Sequence, residues 1–223
     1  MHPEWLSNTY LVADEPGGPA VFVDSGAPLE PLLAAVAEHD LTPTHLLVTH
    51  GHADHIAGDD ELLARFDLQR VAFPELETVE TGGLRIDVLP APGHSPDGVA
   101  YVVNELVCFT GDTVFAGSVG GTPDAFEALR SSVMDVILAL PPEVRLLPGH
   151  TEETTVRREW EENPFVRVWR GLDPEGTDTC RVGFEEATLV VWAGDYDGGH
   201  KAWVRFTDGR DAIVGGSRVE RPS

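Results

Sequence analysis

Lysine is almost absent from this chain. Of 223 residues fifteen are basic, fourteen of them arginine, and Lys201 is the single lysine. Thirty-eight acidic residues leave a formal net charge of −23. Such a charge repels polyanions, so neither nucleic acid nor an anionic membrane is expected as a partner. Cysteine is also scarce. Cys108 and Cys180 stand far apart, which excludes a disulfide framework and any zinc–thiolate spacing. Cys108, within the apolar run "LVCFTG", reads as a buried free thiol. No apolar run approaches the roughly 20 residues of a membrane span. The first residues, "MHPEWLSNTYLV", offer neither a basic segment nor a continuous apolar one, so no secretory signal is read and a cytoplasmic location is expected. Internal repeats and low-complexity tracts are missing too.

What is present describes a globular chain, with 42% hydrophobic and 24% charged residues. Its acidity is uneven. Met1–Phe165 holds 28 acidic and 7 basic residues, net −21, whereas Val166–Ser223 holds 10 and 8, net −2. The first part alternates strand-like and helix-like segments. "SNTYLVAD" and "AVFVDSG" flank the turn signal "EPGGP" and read as a hairpin. "APLEPLLAAVAEHD" carries Leu29, Leu32, Leu33 and Val36 at helical spacing, with Pro28 expected to open the helix. "THLLVTH", "LRIDVLPAPGH", "GVAYVV", "ELVCFTGD" and "EVRLLPGH" read as strands. "TPDAFEALRSSVMDVILAL" is expected to be the longest helix, with Thr122 as its N-cap and Pro123 at its first position. Beyond Asn163-Pro164 only short β-type runs and Gly or Asp-Gly turns remain. The expected organisation is a layered α and β unit over 1–165 and a small β domain of three to five strands over 166–223.

The stretch "VTHGHADHIAG" sets His50, His52, Asp54 and His55 within six residues. Imidazoles so dense rarely serve packing, because each brings two polar nitrogens that need partners. In an extended H-x-H the two rings share one side of the backbone, and the Asp-His pair that follows turns other ligand atoms toward a neighbouring point. Three more candidates stand at the ends of strand-like runs: His94 in "APGHSPDGVAY", Asp112 in "FTGDTVFAGS" and His150 in "LLPGHT". Strands that end in ligand-type residues place a site along one edge of a sheet, where loops shape the pocket.

In that order, "THGHADH", "PGHS", "TGDTVFAGS" and "LLPGHT" resemble the metallo-β-lactamase-fold hydrolases, in particular their compact glyoxalase II-like branch. The resemblance covers roughly Ser7 to Phe165. It implies an α+β, four-layer αβ/βα fold, followed here by the small all-β domain. It implies one metal on His50, His52 and His94, a second on Asp54, His55 and His150, and Asp112 bridging both with a water or hydroxide. Asp54 and Asp112 are then the carboxylates of the catalytic centre. Imidazole and carboxylate donors suit two divalent ions, zinc foremost, with iron or manganese also accommodated. Asp24 in "VFVDSG" matches a family aspartate expected to orient a ligand. Two departures stand out. Gly121 falls where compact relatives carry an arginine, and the glutathione-reading helices are replaced by the β domain.

The implied activity is metal-dependent hydrolysis of a small-molecule thioester or related acyl bond. Alternatives are a one-iron persulfide dioxygenase, a lactonase or β-lactamase, and, outside enzymes, a metal-stabilised binding module. The oligomeric state is left open. Ser95, Asp97 and His2 lack the surroundings of a nucleophile elbow and are discounted as a triad. "EWEEN" reads as a solvated acidic face, and the alternating Trp192, Tyr196, Trp203 and Phe206 read as the core or the interdomain contact of the small sheet. Since that domain carries 8 of the 15 basic residues, Lys201 or Arg205 is expected to grip an anionic substrate.

Overall fold

The computed structural model describes residues 1–73 and 78–221. Its first sheet is built from β1 (Tyr10–Ala13), β2 (Pro19–Val23), β3 (Thr42–Leu47) and β4 (Gln69–Val71), in that spatial order. β1 and β2 form the expected antiparallel hairpin, and β3 and β4 add in parallel. The second sheet contains β5 (Val79–Thr81), β6 (Leu84–Pro90), β7 (Val99–Val103) and β8 (Val107–Gly111). A small hairpin, β9 (Val114–Phe115) with β10 (Ser118–Val119), follows β8. β11 (Arg145–Pro148) then returns to lie parallel to β8, with β12 (Thr154–Thr155) at its edge.

Side-chain alternation explains how the layers stack. Val21, Val23 and Leu47 of the first sheet meet Ile86, Val99, Tyr101 and Val103 of the second in one buried cluster. Their sequence neighbours point the other way. Phe22 and Leu46 pack outward on Leu29, which precedes α1 (Glu30–Glu38), on Val36 within it and on Leu62. Ala100, Val102 and Cys108 pack outward on Phe126, Leu129, Val133 and Ile137. A period of two along each strand thus feeds two different cores. The result is four layers, helix–sheet–sheet–helix.

Helix starts differ from the sequence expectation. Pro28 lies outside α1, whose first turn holds Pro31 instead. A short α2 (Ala53–Ile56) carries Asp54 and His55, and α3 (Asp59–Arg65) follows it. The expected long helix is α4 (Phe126–Ser131) running into a π-helical segment, Ser132–Ile137. Thr122 does not cap it. Its hydroxyl accepts from Ala125 N in the preceding turn (3.1 Å), because Thr122 is held in a two-residue β-bridge with Ile213. α5 (Val156–Glu162) is capped by Thr155, and α6 (Pro164–Trp169) by Asn163.

The expected boundary at Phe165 falls inside α6. Beyond it lies a five-stranded, wholly antiparallel sheet: β13 (Asp178–Val182), β14 (Glu185–Gly194), β15 (His200–Phe206), β16 (Asp211–Gly215) and β17 (Val219–Glu220), in the order β16-β15-β14-β13-β17. One face buries Cys180, Leu189, Val204 and Val214 in a core of its own. The other face presents Val190, Val191, Ala193, Trp203 and Ile213 to α4, the π-helical segment and α6, within a single cluster shared with the second sheet. A register shift between Leu189 and Val191 lets the consecutive Val190 and Val191 both face that cluster. No helix of the described residues is long and apolar enough to cross a membrane.

Candidate metal centre

Five connections bring the seven candidate ligands to one rim. β3 leads into His50 and His52, α2 carries Asp54 and His55, and the loops after β6, β8 and β11 deliver His94, Asp112 and His150. Close approach fixes some residue types. A Cβ at Gly149 would lie 2.3 Å from Asp112 Oδ1, so only glycine lets β11 enter the cluster. Gly111 has φ +49°, and a Cβ there would lie 2.7 Å from Thr49 Oγ1.

The candidate donor atoms form two outer groups joined by a third, His50, His55 and Asp112. His50 Nε2 and His94 Nε2 lie 2.9 and 3.0 Å from His52 Nδ1. Asp54, His55 and His150 form another group whose donor atoms all lie within 4.8 Å of one another. Asp112 stands between them, with Oδ1 3.3 Å from His55 Nε2 and Oδ2 3.3 Å from His150 Nε2 and 3.5 Å from His94 Nε2. His50, His55, Asp112 and His150 are buried, while Asp54 keeps 27% of its side chain exposed.

Hydrogen bonds on the far side of four of the five rings fix which nitrogen faces inward. His94 Nδ1 donates to Gly121 O (2.9 Å) and His150 Nδ1 to Leu6 O (3.0 Å), since a carbonyl can only accept. Asp24 Oδ2 takes His55 Nδ1–H at 2.7 Å. Thr49 Oγ1 donates to the same carboxylate and therefore accepts from His50 Nδ1 at 3.1 Å. In the neutral forms of these four rings Nε2 is then a lone pair: those of His50 and His94 face His52 Nδ1, and those of His55 and His150 face carboxylate oxygens. Among the described residues four buried side-chain polar atoms lack a hydrogen-bond partner, and two are His55 Nε2 and Asp112 Oδ1, which face each other. Acceptors gathered on acceptors require cations, and this donor set fits hard-to-borderline divalent ions.

Titration follows the same geometry. Burial pushes His50 down to about 4 and lowers His94 as well. Burial also opposes charge on His55 and His150, but the carboxylates around them win: Asp24 and Asp112 raise His55 to about 11, and Asp112 and Asp54 raise His150 to about 9. Despite its own burial, Asp112 is held well below the ordinary carboxylate range by His150 and His55. The cluster therefore draws positive charge, whether as protons or as metal.

Several contributors lie outside the seven. Asp24, expected to orient a ligand, holds both His55 and the Thr49 backbone N–H (2.8 Å). Asp97 does not belong to a triad. It accepts from Ser95 Oγ and, at 2.9 Å, from the N–H of Gly51, the residue between His50 and His52. His2 stacks on Trp5 and makes no contact with either. Glu159 of "EWEEN" is buried rather than solvated. Its carboxylate accepts from Gly117 N (2.9 Å), Thr154 Oγ1 (2.6 Å) and Asn163 Nδ2 (2.9 Å), which ties α5 to the β9–β10 turn. Tyr196 lies with its ring flat on His150, centroids 4.1 Å apart. Its place beside Asp195 and Gly198-Gly199, at a hairpin tip rather than mid-strand, was the available signal.

The expected cationic grip is not free to act. Lys201 is buried and pairs with Asp195 at 2.9 Å, while Arg205 is held by Glu175 (2.6 Å) and Asp211 (2.9 Å). A Cβ at Gly121 would face Ile213 O at 3.6 Å, so the C-terminal sheet covers the position where an arginine was expected.

Comparison with known proteins agrees with this geometry. Residues 2–86 match the family model described as the metallo-beta-lactamase superfamily. A hydroxyacylglutathione hydrolase, GloC, of Haemophilus influenzae is 28% identical over 196 residues, spanning 71% of this chain and 92% of that protein. TTHA1623, solved in a di-iron-bound form, is 32% identical with a TM-score of 0.62, covering 74% of this chain and 97% of the other. The B3 metallo-beta-lactamase BLEG-1 superposes with a TM-score of 0.67 at 27% identity, covering 74% and 96%. With its fold, its ligand cluster and these relatives in agreement, the chain belongs to the metallo-β-lactamase superfamily.

Proposed function

We propose that this protein is a dinuclear metal-dependent hydrolase that cleaves a thioester or a related acyl bond. The observation that carries this reading is the convergence of inward lone pairs in two groups, with the Asp112 carboxylate between them. His50, His52 and His94 would hold one ion, Asp54, His55 and His150 the other, and Asp112 both. When bound, two divalent ions supply a water of lowered pKa and polarise the scissile carbonyl. Zinc suits the donors best, and the di-iron form of TTHA1623 makes iron the second choice.

The chain's own residues supply alignment. Asp24 and the carbonyls of Gly121 and Leu6 hold their imidazoles in one tautomer, and Asp97 holds the turn between His50 and His52. Asp54, the ligand carboxylate open to solvent, is the base at hand for a proton released on the substrate side. Neither Ser95 nor Cys108 is placed to compete as a nucleophile. The hydroxyl of Ser95 is engaged by Asp97, and the thiol of Cys108 is buried.

The thioester reading is supported by the name of the Haemophilus relative. A panel of acyl thioesters, a lactone and a β-lactam, followed with and without chelator, tests it. Chelator-sensitive release of thiol is the expected result. Oxygen uptake with a persulfide and no thiol release from any thioester would replace the reading with a dioxygenase. No turnover at all would leave a binding module.

A further inference from the structure

The C-terminal sheet touches the ligand cluster through the turn that joins β14 to β15. There Tyr196 lays its ring on the imidazole of His150, with centroids 4.1 Å apart and planes 10° apart, and meets Phe115 edge-on at 5.5 Å. The turn is fastened in place. Asp195 accepts from the buried Lys201 ammonium at 2.9 Å, from Tyr196 N at 3.0 Å and from Ser118 Oγ at 3.4 Å. That ammonium also sits over the Phe115 and Tyr196 rings, at 5.9 and 5.5 Å. The single lysine of the chain is thus spent on holding this one aromatic.

Packing does not account for Tyr196. It is only half-buried and belongs to none of the four apolar clusters of the described residues. Its hydroxyl forms no hydrogen bond with the described protein and is not buried. The imidazole it covers has its Nε2 3.4 Å from Asp54 Oδ2 and 3.3 Å from Asp112 Oδ2, so the phenol ring lies beside the cluster. An unpartnered neutral donor at the edge of a ligand cluster suits an acceptor that arrives with the substrate.

We propose that Tyr196 is a substrate-contacting residue lent to the site by the C-terminal sheet: its ring steadies His150, and its hydroxyl donates a hydrogen bond to the acyl oxygen. This rests on the hydrolase reading above. The phenol acts here as a hydrogen-bond donor, and its bond strengthens as negative charge gathers on that oxygen. Recognition by a neutral donor, with Lys201 and Arg205 already paired, favours acyl groups without a charge near the scissile bond.

Tyr196→Phe keeps the ring and removes the donor. On metal-loaded protein it should lower kcat by about 100-fold, with KM little changed and metal content equal to wild type. An unchanged kcat across the thioester panel overturns the proposal. Substitution of cobalt for the native metal reads the ring separately. The visible absorption bands should match wild type in Tyr196→Phe and shift in Tyr196→Ala, where His150 loses its stack. A shift in Tyr196→Phe would overturn the proposal by assigning the hydroxyl to the ions. If wild type hydrolyses nothing, the hydrolase reading fails, and binding still tests Tyr196. 2-Mercaptoacetamide, an uncharged thiol with a carbonyl acceptor, measured by calorimetry on metal-loaded protein should bind roughly tenfold more weakly to Tyr196→Phe, and equal affinity would refute the contact.

Discussion

Replacing Asp24 by asparagine changes the metal centre without touching a ligand. Asp24 is buried and its backbone is left-handed, with φ +55°, a conformation asparagine also tolerates. Its carboxylate accepts three hydrogen bonds: Thr49 N on Oδ1, and Thr49 Oγ1 with His55 Nδ1 on Oδ2, at 2.8, 2.8 and 2.7 Å. An amide can accept at only one of those two positions. If its oxygen stays with Thr49 N, its NH₂ faces His55, and the imidazole must turn Nδ1 into an acceptor. The ring proton then moves to Nε2, the atom that faces Asp112 and the second ligand group. The opposite orientation leaves the buried Thr49 N–H unpaired instead. Losing such an orienting partner costs about 10- to 100-fold in metal affinity, or about 1.4–2.7 kcal/mol. Competition against a chromophoric zinc chelator measures it, and activity at saturating zinc should recover in part. An affinity within about twofold of wild type would refute the tautomer argument.

Other consequences follow from the same structure. Glu159→Ala removes the acceptor of three donors in a buried network and should destabilise the fold by about 2–4 kcal/mol, read by calorimetry as a fall in Tm of about 5–15 °C. A fall under about 2 °C would place that network outside the stability of the fold. In metal-free protein His55 and His150 carry protons until about pH 11 and 9, so metal must displace them. Apparent affinity of the second group should therefore climb with pH, by up to about two decades per unit below pH 9; a flat profile from pH 6 to 8 would contradict it. Because both values lie above that of an unfolded histidine, the stability these two groups lend the metal-free fold is complete below about pH 6.5. It is lost as pH rises through 9 and then 11. Burial raises the Cys108 thiol to about 12, and Cys180 is buried too, so a thiol reagent should find neither until denaturant is added.

The candidate cluster and the layers are legible in the sequence because both are written locally. His50 to His55 are neighbours in the chain, and the alternation of Val21, Phe22 and Val23 reveals two faces before any partner is known. Helix starts were less legible. Thr122 and Pro123 look like a cap, yet the backbone of Thr122 is claimed by Ile213, ninety-one residues away in the sequence. Glu159 departs from the expectation for a related reason, and Tyr196 makes the interdomain contact rather than the core one. A glutamate among glutamates gives no local hint that Thr154, Asn163 and the distant Gly117 N–H will all converge on it. An aromatic in a β-rich tail looks like core until the fold sets it against His150. Lys201 and Arg205 looked free to bind an anion because their carboxylate partners, Asp195, Glu175 and Asp211, become neighbours only in the folded sheet.

The central claim is that two metal ions share the Asp112 carboxylate. Elemental analysis of purified protein, reconstituted with excess zinc and then desalted, tests it most directly when three proteins are compared. Wild type should retain close to two ions per chain, His150→Ala close to one, and Asp112→Ala fewer than one. Wild type that never retains more than one ion, or Asp112→Ala that retains two, would contradict the dinuclear account.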